Sequence, residues 1–172
     1  KIYPGETLGV VGESGCGKST LGRTILRLQE PTDGQILYDG KDITKYNRRQ
    51  MKQMRQNMQL IFQDPYASLD PRKSVVEIIA EYMIINRTYP SKKEIYNYAA
   101  HLMDIVGLAR RYANAYPHEL DGGRRQRIGI ARALSLHPKF IVCDEPVSAL
   151  DVSIQAQILN LLMDLQDEMN LT

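Results

Sequence analysis

One stretch of eight residues constrains the fold of this 172-residue chain more than any other. Residues 12–19 read GESGCGKS and match the pattern G-x-x-x-x-G-K-[ST] at every fixed position. A short apolar run, residues 7–11, precedes the pattern, and a helix is predicted after it over residues 18–28. In a strand, loop and helix of this order, backbone N–H groups converge on phosphate oxygens beside the positive end of the helix. The sequence therefore predicts a phosphate-binding loop between a buried strand and a helix.

The individual residues of this loop have separate predicted tasks. Lys18 would bridge the β- and γ-phosphates of a nucleotide, and the Ser19 hydroxyl would ligate Mg²⁺. Cys16 would be an accessible thiol, although a bystander in the loop is the simpler interpretation. The alternative for the whole segment is a structural glycine turn before a helix. We expect the nucleotide-binding residues to be Gly12, Ser14, Gly15, Cys16, Gly17, Lys18, Ser19 and Thr20.

The composition narrows the class of protein. Lysine and arginine number 22 against 20 aspartates and glutamates, and a net charge of +2 does not indicate nucleic-acid binding. Cys16 and Cys143 lie too far apart for a metal-ligand motif or a disulfide framework, which favours a reducing cytosolic setting. No apolar run approaches the ~20 residues that span a bilayer. The first residues lead directly into the predicted strand, so we expect the chain to be part of a longer protein.

Outside the loop, strand and helix patterns alternate near both ends of the chain. Residues 35–43 predict a β-hairpin, because Asp39 and Gly40 form a strong two-residue turn signal. The basic segment 48–56 is interpreted as a solvated helix or loop rather than a nucleic-acid patch. Apolar runs at residues 58–62 and 139–143 predict two buried strands. Strands that alternate with helices in this way imply a parallel α/β core.

The middle of the chain, about residues 64–131, has a helical pattern. A capping box at residues 91–94 opens one helix, and Gly107 is predicted to end it. Further helices are predicted over about residues 124–136 and 152–169. We expect the middle segment to be a helical insertion in the α/β core.

A second acidic motif follows the last predicted strand. Asp144 and Glu145 come directly after the apolar run 139–143. The end of a parallel strand places both carboxylates at the edge of the sheet where ligands bind in open α/β folds. Asp144 would hold Mg²⁺ directly or through water, and Glu145 would polarise an attacking water as general base. Many strands end in acidic residues, so Asp144 and Glu145 alone are a weak indication of a nucleotide site. Together with the glycine-rich loop they are a strong one.

Three further segments resemble motifs of the ABC transporter ATPases and occur in the order of that family. Residues 62–72 (FQDPYASLDPR) are similar to the Q-loop region, above all to that of the oligopeptide and dipeptide importer branch, which includes nickel importers. Residues 120–127 (LDGGRRQR) resemble the ABC signature, and residues 148–151 (SALD) resemble the D-loop. The resemblance covers essentially the whole chain.

The resemblance implies roles for residues that their own chemistry leaves open. Gln63 would ligate Mg²⁺ and join Glu145 and Lys18 in catalysis; without the resemblance it is a surface glutamine before a turn. Asp121, Gly122 and Gly123 would face the γ-phosphate of ATP held by an opposite subunit. Asp151 would reach across the dimer interface, or would simply be the N-cap of the last helix. The implied metal ligands are Ser19, Gln63 and Asp144.

The implied fold is α/β, a P-loop NTPase with a RecA-like parallel sheet core, a small β-hairpin region and an inserted α-helical subdomain. Residues 1–63 and 132–172 would form the ATPase core, without its C-terminal strands. Residues 64–131 would form the helical subdomain, which carries the signature.

The implied function is that of an ATP-binding and ATP-hydrolysing subunit that powers an importer for oligopeptides or dipeptides by ATP-driven dimerisation. Its cofactors would be ATP and Mg²⁺. Its partners would be a second ATP-binding subunit, identical or paralogous, transmembrane permease subunits and, indirectly, a solute-binding protein. It would lie peripherally on the cytoplasmic face of the membrane. The alternatives are a non-transport ABC ATPase of DNA repair or translation and a stand-alone P-loop kinase or GTPase.

Two departures from the family pattern carry expectations of their own. The usual signature has Ser at the position of Asp121 and Gln at that of Arg124. An ionised Asp121 would bring negative charge toward a phosphate and attenuate the composite site, unless Arg124 pairs with it; tolerated variation is the alternative. All three histidines precede Asp144, so none is the family's switch histidine, and its adenine-stacking aromatic would lie upstream of Lys1. We therefore expect the isolated chain to be a weak ATPase.

Overall fold

The computed structural model describes residues 1–172 and follows the predicted order of elements, with one exception near the start. The helices are α1 Lys18–Ile25, α2 Arg48–Met54, α3 Val75–Asn86, α4 Lys92–Ile105, α5 Gly122–Leu134 and α6 Val152–Met169. The strands are β1 Leu37–Tyr38, β2 Lys41–Asp42, β3 Met58–Ile61 and β4 Phe140–Cys143. Two 3₁₀ turns, Arg110–Tyr112 and Pro117–Glu119, lie between α4 and α5. None of the helices combines the length and apolar character needed to cross a bilayer.

The predicted buried strand over residues 7–11 is wrong. This segment has no strand pairing, and Val11 is 96% exposed. A strand requires backbone partners on a neighbouring strand. On β4 the backbone of Thr172 already bonds the edge away from β3: its C=O accepts from the Ile141 N–H at 2.8 Å, and its N–H donates to Lys139 O at 3.0 Å. The apolar run therefore forms no ladder in this structure.

The predicted hairpin is confirmed. Strands β1 and β2 pair antiparallel, with Leu37 opposite Asp42 and Tyr38 opposite Lys41. The two turn residues have positive φ angles, 47° at Asp39 and 74° at Gly40. Two consecutive positive φ values define the turn whose twist matches a two-residue hairpin, and Asp-Gly is one of its preferred sequences.

The parallel pair β3 and β4 determines where the site lies. Met58 is opposite Phe140, and the register continues to Ile61 opposite Cys143. Both strands therefore end at the same edge of the sheet. Gln63 follows one strand and the acidic pair 144–145 follows the other, so the topology brings residues more than 80 positions apart to one edge.

The helices of the middle segment share one hydrophobic core with the sheet and α6. Leu102 and Ile130 are fully buried in the same cluster as Ile61 of β3 and Ile158 of α6. The predicted division at residues 131/132 falls inside α5, and the division into core and helical subdomain stays a prediction. Because of this shared core, α5 is held against both the sheet and the last helix.

The end signals of α4 are confirmed in part. The Ser91 hydroxyl accepts the Glu94 N–H at 3.2 Å, which is half of the predicted capping box. The returning bond from the Ser91 N–H to the Glu94 carboxylate does not form, so that half of the prediction is wrong. Gly107 follows the helix with a φ of 66°, a left-handed conformation that glycine adopts without strain.

Candidate nucleotide-binding site

The N-terminus of α1 is open to a ligand. Gly17 is the N-cap with a φ of 100°, and Gly15 has a φ of 80°, so both lie where a Cβ would be strained. No side chain caps this helix end. The N–H groups of its first turn have no partners within the helix and are available to an anion, and the helix dipole favours negative charge there.

Lys18 folds back over its own loop. Its Nζ donates to the carbonyl oxygens of Gly12 at 2.9 Å and Glu13 at 2.8 Å. A Cβ on Gly12 would lie 2.6 Å from the Cys16 Sγ, so a side chain at this position would require the Cys16 thiol to move. The Cys16 sulfur packs on the loop, and its role as a bystander or a reactive thiol stays open. The ammonium group is thus held at the loop by neutral acceptors that a phosphate can outcompete.

Ser19 and Asp144 meet across 125 residues of sequence. The Ser19 Oγ donates to Asp144 Oδ1 at 2.7 Å. Asp144 is 8% exposed, and its N–H donates to Ile61 O at 3.0 Å, which fixes it at the end of β4. A Cβ on Gly22 would lie 2.9 Å from Val142 Cγ1, so glycine allows α1 to approach β4 closely. This close packing brings the loop hydroxyl to the carboxylate.

Sequence reasoning missed one residue at this position, Arg23. One of its guanidinium nitrogens lies 3.6 Å from Asp144 Oδ2. It occurs one helical turn after Ser19, and that i, i+4 spacing is the only signal in the sequence for its presence. The carboxylate therefore has a hydroxyl on one oxygen and a cation near the other.

Gln63 and Glu145 form the second contact at the sheet edge. The Gln63 Nε2 donates to Glu145 Oε2 at 2.8 Å. Glu145 has a φ of 46°, and its carbonyl accepts the Ser148 hydroxyl at 3.1 Å, so a tight turn follows β4. The left-handed backbone directs the chain away from the strand and leaves both side chains exposed.

Asp121 occupies the N-terminus of α5. As N-cap, its Oδ1 accepts the Arg124 N–H at 2.8 Å, and its Oδ2 pairs with the Arg124 guanidinium. The pairing considered from the sequence is therefore present. Asp151 holds the N-cap position of α6, but its side chain makes no capping hydrogen bond.

The glycines after Asp121 have a packing role. A Cβ on Gly123 would lie 2.8 Å from Ile154 Cγ2, and one on Gly122 would lie 3.0 Å from Leu150 Cδ2. Glycine is thus required for α5 to approach the start of α6. These residues make no hydrogen bond to the loop residues 12–20 within the chain, so the structure places the signature and the loop as two separate groups.

The residues around the loop fit a nucleotide with Mg²⁺. Gly15 and Gly17 hold the loop in left-handed backbone conformations, and the helix end that follows carries no side-chain cap. The candidate metal ligands Ser19, Gln63 and Asp144 offer oxygen atoms, the donors that Mg²⁺ prefers. No group of three or more His, Cys, Asp or Glu side chains is arranged to hold a metal ion.

Comparison with known proteins agrees with this geometry. The family model described as "ABC transporter" matches residues 1–148. The oligopeptide transport ATP-binding protein OppF of Bacillus subtilis is 56% identical over 172 residues, 99% of this chain and 56% of that protein. OppF of Salmonella typhimurium is 53% identical over 172 residues, 100% of this chain and 52% of that protein. The chain spans about half the length of the curated relatives it matches.

Solved structures share the fold. The dimeric post-hydrolysis structure of the ATP-binding cassette MJ0796, bound to ADP and Pi, is 32% identical and superposes with a TM-score of 0.86. The match covers 98% of this chain and 72% of that one. This similarity confirms the predicted α/β P-loop NTPase fold. With a family model that matches most of its length, the chain belongs to the ABC transporter family.

Proposed function

We propose that this chain is part of an ATP-binding and ATP-hydrolysing subunit that powers import of oligopeptides or dipeptides. The observation that carries the proposal is the meeting of the glycine-rich loop with the acidic strand end, where Ser19 Oγ lies 2.7 Å from Asp144 Oδ1. The names of the relatives, which are oligopeptide transport ATP-binding proteins, support the choice of cargo.

The loop binds the phosphates of the nucleotide. Open N–H groups of α1 and the Lys18 ammonium supply positive charge at the position where the phosphates lie. Ser19, Gln63 and Asp144 would hold Mg²⁺, which would neutralise negative charge on the phosphates. Ser19 is already oriented by its hydrogen bond to Asp144.

Glu145 serves as general base. The Gln63 amide donates to its Oε2 and fixes the carboxylate plane, so that Oε1 is left to accept a proton from water. Its exposed position after the strand end allows a water molecule to reach it. Gln63 acts as the positioning residue for this base and links the base to the segment that leads to α3.

A second subunit completes the site. Asp121, Gly122 and Gly123 turn toward the nucleotide of an opposite subunit, identical or paralogous, and Asp151 lies at the interface. Support comes from the fact that Asp121, Gly122 and Gly123 make no hydrogen bond to the loop of their own chain, so contact with a nucleotide would have to come from another subunit. ATP stabilises the closed dimer because it contacts both subunits. Hydrolysis removes the γ-phosphate contacts that favour the closed state over the open one.

Membrane-spanning permease subunits are the proposed partners, with a solute-binding protein beyond them, and this chain lies on the cytoplasmic face. Support comes from a groove of about 730 Å³ between the middle helices and the sheet. Its wall carries exposed apolar side chains beside cations of α2 that make no ion pair. They are Leu28, Phe62 and Ile85, and Arg48, Arg49 and Lys52.

Glu145→Gln in the full-length protein tests the proposed function. The amide keeps the shape of the side chain but cannot accept the proton, so ATP binding should persist, hydrolysis should slow strongly and an ATP-bound dimer should accumulate. Glu94→Gln, on the exposed face of α4, is the matched control and should leave turnover unchanged. Normal turnover in Glu145→Gln would assign the base elsewhere. Copurification of membrane-spanning subunits separates transport from DNA repair or translation.

A further inference from the structure

Arg132 is a buried cation in the last turn of α5 that forms no ion pair. It is 8% exposed, and no carboxylate lies within ion-pair distance of its guanidinium. Burial lowers the pKa of Arg132 below its ordinary value, and the opposing charge of Glu81 is shared with Lys73, to which Glu81 is paired. A charge removed from water is costly, so a buried arginine of this kind needs other partners.

Two aromatic rings and one backbone carbonyl take the place of a carboxylate. The guanidinium carbon of Arg132 lies 5.7 Å from the centre of the Phe62 ring and 5.9 Å from that of Tyr82 in α3. One of its N–H groups donates to the carbonyl oxygen of Ser68. Aromatic faces attract cations, and the planar guanidinium stacks on them in a way that the ammonium group of lysine does not. Arg132 therefore joins α5 to α3 and to the segment that follows β3.

The segment that follows β3 forms a compact turn. The Asp64 carboxylate accepts the Tyr66 N–H at 2.8 Å, and the Asp64 carbonyl accepts the Ser68 N–H at 3.2 Å. The Ser68 hydroxyl donates to the Pro65 carbonyl at 3.3 Å. These bonds connect the residues of the turn to one another, and the bond from Arg132 connects the turn to α5.

Gln63 lies between the two points that Arg132 contacts. Phe62 comes directly before it, and Ser68 ends the turn after it. The side chain of Gln63 is exposed, and its only hydrogen bond is the one to Glu145 at 2.8 Å. Because α5 lies in the main core, a contact from this helix on both sides of Gln63 holds an exposed residue to a rigid element.

We propose that Arg132 is a positioning residue for ATP hydrolysis, which holds the segment that carries Gln63 so that the Gln63 amide stays against Glu145. This inference rests on the proposed function, in which Glu145 is the general base. Arg132 makes no hydrogen bond to the loop residues 12–20, so its loss should affect the chemical step more than nucleotide binding. We therefore expect its removal to lower kcat for ATP and to leave KM nearly unchanged.

Arg132→Met in the full-length protein tests the proposal. Methionine fills much of the space without a charge or a donor, and kcat should fall by about tenfold or more, since a small misplacement of reacting groups slows a reaction strongly. Arg127→Met is the matched control. Arg127 lies on the same helix and also donates to a backbone carbonyl, but to that of Val106 at the end of α4. It should leave kcat unchanged, and equal kcat values in the two variants would overturn the proposal.

A double variant shows whether Arg132 acts through Gln63. Gln63→Ala removes the contact with Glu145, so the addition of Arg132→Met to this background should change single-turnover hydrolysis by less than about twofold. A further loss of about tenfold would place the effect of Arg132 elsewhere and overturn the proposal.

Melting temperatures of all variants are measured in parallel. Should Arg132→Met fail to fold, Arg132→Lys takes its place, because lysine keeps the charge and a donor but not the planar stacking. Its kcat should fall by about threefold, the value of a weak cation–π contact, and a normal kcat would overturn the proposal.

Glu145→Gln separates this inference from the proposed function on which it rests. Normal turnover in Glu145→Gln would overturn both. Slow turnover in Glu145→Gln together with a normal kcat in Arg132→Met would overturn the role of Arg132 alone and leave the general base in place.

Discussion

Two helices of this molecule begin in glycine-rich sequence, and their N-termini differ. At α1 the N-cap is Gly17, and no side chain reaches the first-turn N–H groups. At α5 the N-cap is Asp121, and its carboxylate bonds the Arg124 N–H and side chain. An uncapped end gives up about 1 kcal/mol of helix stability but leaves its donors to a ligand. The N-terminus of α1 is therefore open to an anion, whereas at α5 the protein supplies the anion itself.

The two helices also differ in burial, and α1 is the less buried of the two. No residue within α1 is fully buried, while Ile128, Ile130 and Leu134 of α5 lie in the main core. Helix α1 depends on its close contact with β4 at Gly22 and on the bond from Ser19 to Asp144. A weakly packed, uncapped element gains most from a bound ligand, because binding to the folded state adds stability by mass action.

The largest expected effect comes from Lys18→Ala, which removes the cation at the open helix end. Charge-assisted contacts are worth roughly 1.5–3 kcal/mol each, so ATP affinity should fall by at least about tenfold. Calorimetry with ATP and Mg²⁺ measures this loss. Lys41→Ala in the exposed hairpin removes the same charge and should bind normally. An unchanged affinity in Lys18→Ala would exclude the loop as the phosphate site.

A pair of glycine substitutions tests the packing difference. Gly22→Ala in α1 and Gly129→Ala in α5 both improve helix propensity by about 1 kcal/mol. The added Cβ meets Val142 at 2.9 Å in the first case and no atom within 4 Å in the second. We expect Gly129→Ala to raise the melting temperature and Gly22→Ala to lower it, since overpacking costs about 1–3 kcal/mol. Stabilisation by Gly22→Ala would show that α1 has room to move from β4.

Local signals and shared sheet edges could be predicted from the sequence. Asp39 and Gly40 specify their turn by backbone conformation alone, and α6 begins and ends at the predicted residues. The rule that parallel strands end at one edge predicted the position of Asp144 and Glu145, whereas the contact of Gln63 with Glu145 was not predicted. In each case the determining interaction is local, or the topology leaves one arrangement.

Contacts that depend on competition between distant segments could not be predicted. Residues 7–11 have a strand pattern, but Thr172 holds the backbone edge of β4 away from β3. Arg111 and Arg124 both lie over the ring of Tyr112, and no periodicity in the sequence predicts this contact. The cap that Asp121 provides to α5 was not predicted, because it depends on where the helix begins in the folded chain. Three-dimensional packing decides these features.

Removal of the cap at α5 should have a moderate effect. Asp121→Ala loses the bond to the Arg124 N–H and should lower the free energy of unfolding by about 0.5–2 kcal/mol. Asp121→Asn keeps an oxygen acceptor without the charge and should lose much less. Chemical denaturation of the two variants measures the difference. Equal losses would assign the stabilisation to the ion pair with Arg124 rather than to the cap.

The smallest expected effect concerns the charge of Asp121 in the assembled, full-length transporter. Two unit charges ~4 Å apart repel by about 4 kcal/mol at an effective dielectric of 20, so a bare carboxylate near the partner's phosphate would weaken that site strongly. The carboxylate is not bare, because Arg124 pairs with it and the helix end adds positive charge. Asp121→Ser keeps a capping oxygen and should therefore raise ATP-driven dimerisation by less than about tenfold.

Arg124→Gln alone should lower dimerisation, because it exposes the negative charge that Arg124 now offsets. Sedimentation of the ATP-bound protein with each single variant and with the double variant measures both effects and their coupling. If Asp121→Ser leaves dimerisation unchanged or reduces it, the repulsion is fully offset by the ion pair. Asp121 would then act at α5 as a helix cap alone, in keeping with the closed end that distinguishes this helix from α1.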